Sequence, residues 1–177
     1  MKENKIIECL DSDMNSCDLD SAKFVRLSLL GRADDLSFLI SKSNLEKIIK
    51  HQWYLDGNGY PKSYKARGHT LHRYLLGKQE KGFVIDHINR NKLDNRLENL
   101  RIITAKENSY NRTKSVSSKN SYKGIVQKNN KYYASISRDK IRSEIGPFDT
   151  EEEAAKMYDL MAEDLFGEYA GKNFLDN

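Results

Sequence analysis

Residues 84–108, VIDHINRNKLDNRLENLRIITAKEN, decide how the middle of this 177-residue chain folds. Five asparagines follow an Asp-His pair within this one stretch. Carboxamides must be hydrogen-bonded or remain in water, and asparagine is depleted from strands. Val, Ile and Leu are nevertheless too frequent here for a disordered linker. The stretch therefore predicts two β-prone runs, Val84 to Ile88 and Leu100 to Ile103, separated by a polar loop.

A helix should follow the second run. Thr104 and Glu107 have the spacing of a capping box, in which each side chain bonds the other residue's backbone N–H. The helix is predicted to run to about Arg112, with Asn108 on its first turn. The predicted order is strand, long loop, strand, helix.

The polar residues of this unit suit phosphodiester hydrolysis. His87 has an ordinary pKa near 6.5 and can take a proton from water at neutral pH. Asp86 and Asn108 offer an anionic and a neutral oxygen, the ligands that Mg²⁺ or Mn²⁺ prefers. Asn99 could bond backbone groups and hold the loop so that His87 is aimed. Neighbouring strand residues point to opposite faces, so Asp86 and His87 must lie at a strand end or flank the metal from two sides.

Upstream residues predict a small sheet, a helix and a hairpin. VRLSLLG (25–31) and LSFLI (36–40) have the composition of short strands. Ser43 and Glu46 have capping-box spacing and predict a helix start. The stretch WYLDGNGY (53–60) predicts a hairpin turn, because Asp-Gly and Asn-Gly accept positive φ.

Downstream residues predict a linker and a second sheet. TKSVSSKNS (113–121) is basic and serine-rich, as linkers are. Three strand candidates follow, near residues 124–126, 132–137 and 141–146. A capping box at Thr150 and Glu153 then opens a helix with one face made of Ala155, Tyr158, Ala162 and Leu165. The outer face of that helix is acidic, so the sheet should face a nucleic acid, with the helix behind it. Tyr132 is predicted to point to the core and Tyr133 to the groove.

Charge is distributed unevenly along the chain. Residues 60–115 carry 13 Lys and Arg against 5 Asp and Glu, and residues 116–146 carry 7 against 2. Such a basic block is expected of a protein that binds a polyphosphate such as double-stranded DNA. A solvated basic face is the alternative. The predicted DNA contacts are Arg73, Arg90, Lys92, Arg96, Lys123, Lys128, Tyr133, Arg138 and Arg142. His72, beside Arg73, is predicted to contact DNA or to pack.

Composition narrows the class of protein further. The hydrophobic fraction is 38% and the mean hydropathy −0.78, and no apolar run reaches the roughly 20 residues of a membrane span. Cys9 and Cys17 are predicted to be reduced thiols of an intracellular protein. The expected location is the cytoplasm. No membrane partner or organic cofactor is expected.

The motif of residues 84–108 resembles the HNH nucleases in their His-Asn-Asn form, as DH, ENLR and KEN recur at matching spacing. Together with WYLDGNGY and LHRYLLG, it resembles the homing endonucleases of phages and mobile introns over residues 45–112. The resemblance implies that His87 is the general base and that Asp86 and Asn108 bind one catalytic Mg²⁺ or Mn²⁺. It also implies that Asn99 supports the catalytic site structurally. If a phage encodes the chain, as the resemblance suggests, the expected cytoplasm is that of the host cell.

Residues 122–174 are similar to a second family, the Apetala/ethylene-response-factor DNA-binding domain. The matching stretches are YKGI, YYASI and IGPFDTEEEAAKMYDLMAEDLFGEYAGKNF. The resemblance implies a three-stranded antiparallel sheet in the major groove, backed by a helix. Val126 replaces an arginine and Glu144 a tryptophan of the plant pattern, so the target sequence does not carry over.

These observations predict an α+β protein of three parts. Residues 1–112 would form an N-terminal sheet and a ββα-metal nuclease domain, 113–121 a linker, and 122–177 a sheet-and-helix DNA-binding domain. The predicted function is metal-dependent, homing-type DNA cleavage. The alternative is a DNA-binding regulator whose nuclease module no longer cuts.

Overall fold

Two separately packed units make up the chain, Met1–Ile103 and Thr104–Asn177. The structure is a computed structural model and describes residues 5–11, 19–30, 36–66, 68–113 and 120–174. Cys17, Gly31 and residues 114–119, which include most of the predicted linker, lie outside these ranges. Cys9 is a half-buried free thiol.

The first unit is built on a four-stranded sheet. β1 (Ile6–Leu10), β2 (Phe24–Ser28) and β3 (Ser37–Ser41) are antiparallel. The short β7 (Asp94–Asn95) pairs parallel with β3, which gives the order β1-β2-β3-β7. The sequence prediction of strands at 25–31 and 36–40 is confirmed within the described residues. Pairing of β7 with β3 fixes the asparagine-rich loop to the core sheet.

One face of this sheet and side chains of the segments that follow it form the hydrophobic core of the first unit. Val25, Phe38, Ile48, Trp53 and Leu71 are completely buried in it. Trp53 donates its indole N–H to the Ile48 carbonyl at 3.0 Å, so the N–H of this large buried ring has a hydrogen-bond partner.

α1 (Leu45–Ile48) begins later than the sequence suggests. Lys42–Asn44 already form a 3₁₀ turn, and Asn44 is the N-cap, without a side-chain bond. The predicted capping box at Ser43 and Glu46 is therefore wrong, because Ser43 lies inside the turn.

The predicted hairpin turn at WYLDGNGY is confirmed. β4 (Tyr54–Leu55) pairs antiparallel with β5 (Pro61–Lys62). Asp56 Oδ1 accepts hydrogen bonds from the backbone N–H of Asn58 at 2.8 Å and of Tyr60 at 2.9 Å. This carboxylate closes the turn and fixes where Tyr60 emerges.

The remaining elements of the first unit carry the polar loop. α2 (Leu71–Leu76) precedes β6 (Phe83–His87), and β6 pairs with β8 (Leu100–Thr104). A 3₁₀ turn at Leu97–Asn99 leads into β8. The predicted order of strand, loop and strand is confirmed.

The second unit begins with α3 (Ala105–Tyr110), whose predicted capping box is present in full. The helix packs within this unit: the Tyr110 ring stacks on Phe166 with centroids 4.0 Å apart. The Tyr110 carbonyl accepts from Lys123 Nζ at 2.7 Å and from the Gly171 N–H at 3.1 Å.

An antiparallel three-stranded sheet and one long helix complete the second unit. The strands are β9 (Ile125–Lys128), β10 (Lys131–Arg138) and β11 (Ile141–Phe148), with β10 in the middle. α4 (Glu151–Phe166) starts with the predicted capping box at Thr150 and Glu153.

The helix packs on one face of that sheet, as predicted. Ala134, Ala155 and Ala162 are fully buried between them, and Tyr132 lies on this core side. Gly124 has a φ of +74°, and a Cβ there would lie 2.0 Å from the Tyr158 ring, so only glycine permits this approach.

The α+β class is thereby confirmed, with several small sheets and few helices. Over the described ranges, no helix has the length and apolar character needed to cross a membrane.

Candidate active site

His87 is the last residue of β6, and its side chain is fixed from one end. The residue is 5% exposed, and its Nε2 lies 3.3 Å from Asn95 Oδ1. The Asn95 amide is oriented by its own donor, because Nδ2 bonds the Lys92 carbonyl at 3.0 Å. The oxygen of Asn95 must then accept from Nε2–H, which leaves Nδ1 as the basic nitrogen of the imidazole.

The environment of His87 favours its neutral form. Burial lowers the pKa of His87, while the Asn95 hydrogen bond and then Asp86 act in the opposite direction. Because the net shift is downward, the imidazole is ready to accept a proton at neutral pH.

Asp86 has a different partner from its neighbour. Its residue is 8% exposed, and Oδ2 accepts from both Nε and the terminal nitrogen of Arg101 on β8, each at 3.0 Å. The two adjacent residues are both buried at the strand end, one of the two arrangements that the sequence allowed. Arg101 thus fixes the carboxylate from the paired strand.

Asn99 holds the loop, as expected from its position. Its Nδ2 donates to Asn89 Oδ1 at 2.9 Å and to the Asp94 carbonyl at 2.8 Å. Its Oδ1 accepts from the Asn89 N–H at 3.0 Å. Asn99 therefore joins both ends of the loop.

An aspartate-arginine pair stiffens the same loop. Arg96 bonds both carboxylate oxygens of Asp94, at 2.9 and 2.8 Å, and its guanidinium lies over the Phe24 ring at 4.9 Å. Arg96 was predicted to contact DNA, which stays a prediction, and the contacts seen here are made with Asp94 and Phe24.

Two aromatic residues flank His87. The His72 ring meets it edge-on, with centroids 5.3 Å apart and planes at 84°. The Tyr60 ring lies 5.9 Å from His87 and 4.9 Å from His72. Burial, then His87 and Arg73, lowers the pKa of His72 to about 4, so its ring is neutral at pH 7.

Sequence reasoning did not single out Asn95, Arg101 or Tyr60, and it gave His72 only a choice between DNA contact and packing. Asn95 was one asparagine among five, and it lies across a loop from His87, where spacing along the chain predicts no contact. The return of the chain through β7 and β8 brings Asn95 to His87 and Arg101 to Asp86, and the hairpin of β4 and β5 brings Tyr60 to His87.

Asn108, the second predicted metal ligand, lies half-buried on α3 in the second unit. Within the described part of the chain, no group of three or more His, Cys, Asp or Glu side chains could hold a metal ion. One carboxylate and one amide oxygen nevertheless fit Mg²⁺ or Mn²⁺, which keep several waters and bind substrate phosphate. The donor chemistry of Asp86 and Asn108 therefore suits the group that the sequence predicts.

The other predicted DNA contacts of the first unit lie nearer the surface. Arg73 and Lys92 are exposed, and Arg90 is half-buried. Lys92 Nζ donates to the Asn58 carbonyl at 2.8 Å and lies 4.7 Å from the Tyr60 ring centroid.

In the second unit the predicted contacts divide between the two faces of the sheet. Cross-strand partners share a face, and the register puts Lys128, Tyr133 and Arg142 on the face away from α4. Arg138 instead donates to the Leu165 carbonyl at 2.6 Å, on the helix side. Lys123 bonds the carbonyls of Tyr110 and Gly171 and is half-buried. The predictions for Arg138 and Lys123 overlooked these internal bonds.

The chain is similar to known proteins. A family profile described as HNH endonuclease matches residues 70–110, which include Asp86, His87, Asn99 and Asn108. An uncharacterized HNH endonuclease of Acanthamoeba polyphaga mimivirus is 40% identical over 157 residues, which cover 86% of this chain and 82% of the relative. No solved structure matches the chain. The chain belongs to the HNH endonuclease family.

Proposed function

We propose that the protein is a metal-dependent, homing-type endonuclease that hydrolyses phosphodiester bonds of double-stranded DNA with His87 as general base. The observation that carries the proposal is the bond from His87 Nε2 to Asn95 Oδ1, with the amide held by the Lys92 carbonyl. A histidine with no catalytic role would not need a buried amide to set its tautomer.

The reaction can be written from the residues of the chain. Nδ1 of His87 accepts a proton from a water molecule, whose oxygen bonds to phosphorus as the bond to the leaving sugar oxygen breaks. The leaving oxygen then takes a proton from solvent. A divalent cation, when bound, would stabilise the negative charge that develops on the leaving oxygen.

Other residues have supporting tasks in this proposal. Asp86 of the first unit offers a carboxylate oxygen and Asn108 of the second an amide oxygen, the two ligands that the resemblance to HNH nucleases implies for one Mg²⁺ or Mn²⁺. Arg101 holds the Asp86 carboxylate, and Asn99 holds the loop that ends at β8. HNH nucleases generally use a divalent metal, and this donor set suits that class of ion.

The second unit is proposed to add DNA affinity through the sheet face away from α4. Lys128, Tyr133 and Arg142 share that face, and β11 is exposed along nearly its whole length. The acidic residues at the start of α4, Glu151 to Glu153, make the helix side unfavourable for phosphate. In the first unit, Arg73 and Lys92 would contact the DNA phosphates.

A plasmid-cleavage assay tests the proposed function. Purified full-length protein should cut supercoiled plasmid with Mg²⁺ or Mn²⁺ and should stop cutting after chelation. Cleavage that persists after thorough chelation would contradict metal dependence. DNA binding without cleavage under all metal conditions would instead indicate a DNA-binding regulator that has lost nuclease activity.

A further inference from the structure

Three polar rings in the first unit pack against one another. His72, His87 and Tyr60 are mutually in contact, with centroid distances from 4.9 to 5.9 Å. Two of the three are histidines buried to more than nine-tenths. Polar rings are rarely buried together unless their positions matter, because each is removed from water.

His72 is held by a hydrogen bond to a residue at the start of its own helix. Its Nε2 lies 3.2 Å from Oγ1 of Thr70, the N-cap residue of α2. Its Nδ1 is buried and has no hydrogen-bond partner among the described residues. The ring is therefore fixed by one anchored nitrogen and by contact with its neighbours.

Tyr60 completes the arrangement from the hairpin. The Asp56 carboxylate fixes the turn from which Tyr60 emerges, and Lys92 lies over the Tyr60 ring. Lys92 also supplies the carbonyl that orients Asn95. The two flanking rings and the Asn95 amide thus all contact His87.

We propose that His72 is a positioning residue for His87, and that its flat ring fixes the orientation of the general base without taking part in proton transfer. The proposal rests on the proposed role of His87. Asn95 fixes one nitrogen of His87. The edge-on ring of His72 packs against the His87 ring and fixes its plane, which aims Nδ1. A displacement of about 1 Å at a reacting group can cost up to about 10²-fold in rate.

Three substitutions of His72 distinguish the contribution of the flat ring from that of its nitrogen atoms. His72→Ala removes the ring, His72→Leu fills the space with a side chain that is not flat, and His72→Phe keeps a flat ring without nitrogen. Steady-state cleavage at saturating Mg²⁺ over a range of plasmid concentrations gives kcat and KM, and gel shift without metal gives DNA affinity. Thermal unfolding checks that each variant is folded.

We expect His72→Ala to lower kcat by about ten- to hundred-fold with little change in KM or DNA affinity. His72→Leu should lie between Ala and wild type, and His72→Phe should restore kcat close to the wild-type value. If His72→Ala fails to fold, the comparison of Leu with Phe still decides, because both fill the space.

His51→Ala is the matched control. His51 also packs edge-on against rings of the first unit, Trp53 at 6.3 Å and Tyr74 at 5.0 Å, and its Nε2 bonds the Tyr74 hydroxyl at 2.7 Å. Its loss should lower the melting temperature without lowering kcat. An equal loss of kcat in His51→Ala and His72→Ala would show a general effect of instability and overturn the proposal.

Other outcomes are equally decisive. Wild-type kcat in His72→Ala, or equal kcat in His72→Leu and His72→Phe, would show that no flat ring is needed. A folded His72→Phe as slow as His72→Ala would assign the effect to a nitrogen and overturn the proposal. His87→Ala, measured in parallel, separates the two claims: if it cuts at the wild-type rate, the proposed function itself has failed.

Discussion

Two polar regions of this molecule are organised in opposite ways. In the loop between β6 and β8, Asp94, Asn95 and Asn99 are at most 6% exposed, and their side chains bond within the loop. On the open sheet face of the second unit, Lys128 and Arg142 have half or more of their side chains exposed. In the first region the polar side chains are buried and bonded within the loop, whereas in the second region they are exposed to water.

The difference follows from what each region must meet. A general base works on one proton at a fixed position, so its supports must be rigid and already bonded. A surface that meets DNA phosphates exchanges water and counterions for them, so its cations must be reachable. Burial of polar groups therefore marks the proposed chemistry, and exposure of polar groups marks the proposed docking. Single substitutions in each region can break this division.

His87→Ala should cause the largest loss of activity. Removing a general base typically lowers the rate by about 10²–10⁴-fold. DNA affinity should change little, because none of the exposed cations is removed. The measurement is plasmid cleavage beside a gel shift on the same preparation. A variant that cuts at the wild-type rate would remove His87 from the mechanism.

Asp86→Asn should weaken metal binding, because an amide oxygen replaces a carboxylate. We expect affinity for Mn²⁺, measured by electron paramagnetic resonance, to fall by at least about ten-fold, or ~1.4 kcal/mol. Asp94→Asn is the matched control, since Asp94 is also a buried aspartate paired with an arginine. Asp94→Asn should lose stability but keep Mn²⁺ binding. Equal Mn²⁺ affinity in Asp86→Asn and wild type would contradict the metal assignment.

Asn99→Ala should lower stability, because its carboxamide satisfies buried backbone groups. The Asn89 N–H and the Asp94 carbonyl would each lose a partner, and a stranded group costs about 1–3 kcal/mol. Arg142→Ala on the open face should change the free energy of unfolding by less than about 0.5 kcal/mol. Urea unfolding measures the free energy of unfolding of both variants. Equal losses of stability in the two variants would contradict the difference between the two regions.

The sequence predicted most of the secondary structure because its signals are local. The capping boxes at Thr104 and Thr150 were found because each depends on two residues three apart, and both are present. The one at Ser43 failed because a 3₁₀ turn of Lys42–Asn44 displaced the helix start. Spacing alone cannot reveal which of two overlapping turns will form.

The supports of the site were harder to predict, since they depend on pairing distant in the chain. Asn95 reaches His87 only because β7 joins β3 and the loop returns to β8. Arg96 and Lys123 were predicted to contact DNA on charge alone, yet each is bonded inside its own unit. Charge counting identifies a basic region but not which of its cations are already paired.

Lys128→Ala and Arg142→Ala should weaken DNA binding without slowing the reaction at saturation. For each interaction with a duplex phosphate that a substitution removes, the fall of log affinity with log salt should become shallower by about 0.9. Lys156→Ala is the control, because Lys156 is an equally exposed lysine on α4, paired with Glu152. Unchanged affinity and salt slope in the two sheet variants would contradict docking through this face.

Glu144→Gln should produce the smallest effect, and in the opposite direction. Its carboxylate lies between two cations of the proposed docking face, 2.5 Å from Lys128 Nζ and 2.6 Å from an Arg142 terminal nitrogen. The hydrogen bond from Lys128 lowers the pKa of Glu144, and Arg142 adds to the shift, so the charge is present at neutral pH. DNA phosphate must compete with this charge for both cations. The amide keeps the size of the side chain and removes the charge.

Affinity for duplex DNA should therefore rise in Glu144→Gln, by less than about ten-fold, because an exposed ion pair is weak. The rise should be largest at low salt and should disappear in the triple variant that also carries Lys128→Ala and Arg142→Ala. Glu152→Gln, which removes the same charge from α4, should leave affinity nearly unchanged. If both glutamate variants raised affinity equally, the effect would come from net charge alone. The open sheet face would then have no special place in DNA binding, and the contrast between a buried catalytic loop and an exposed docking face would not hold.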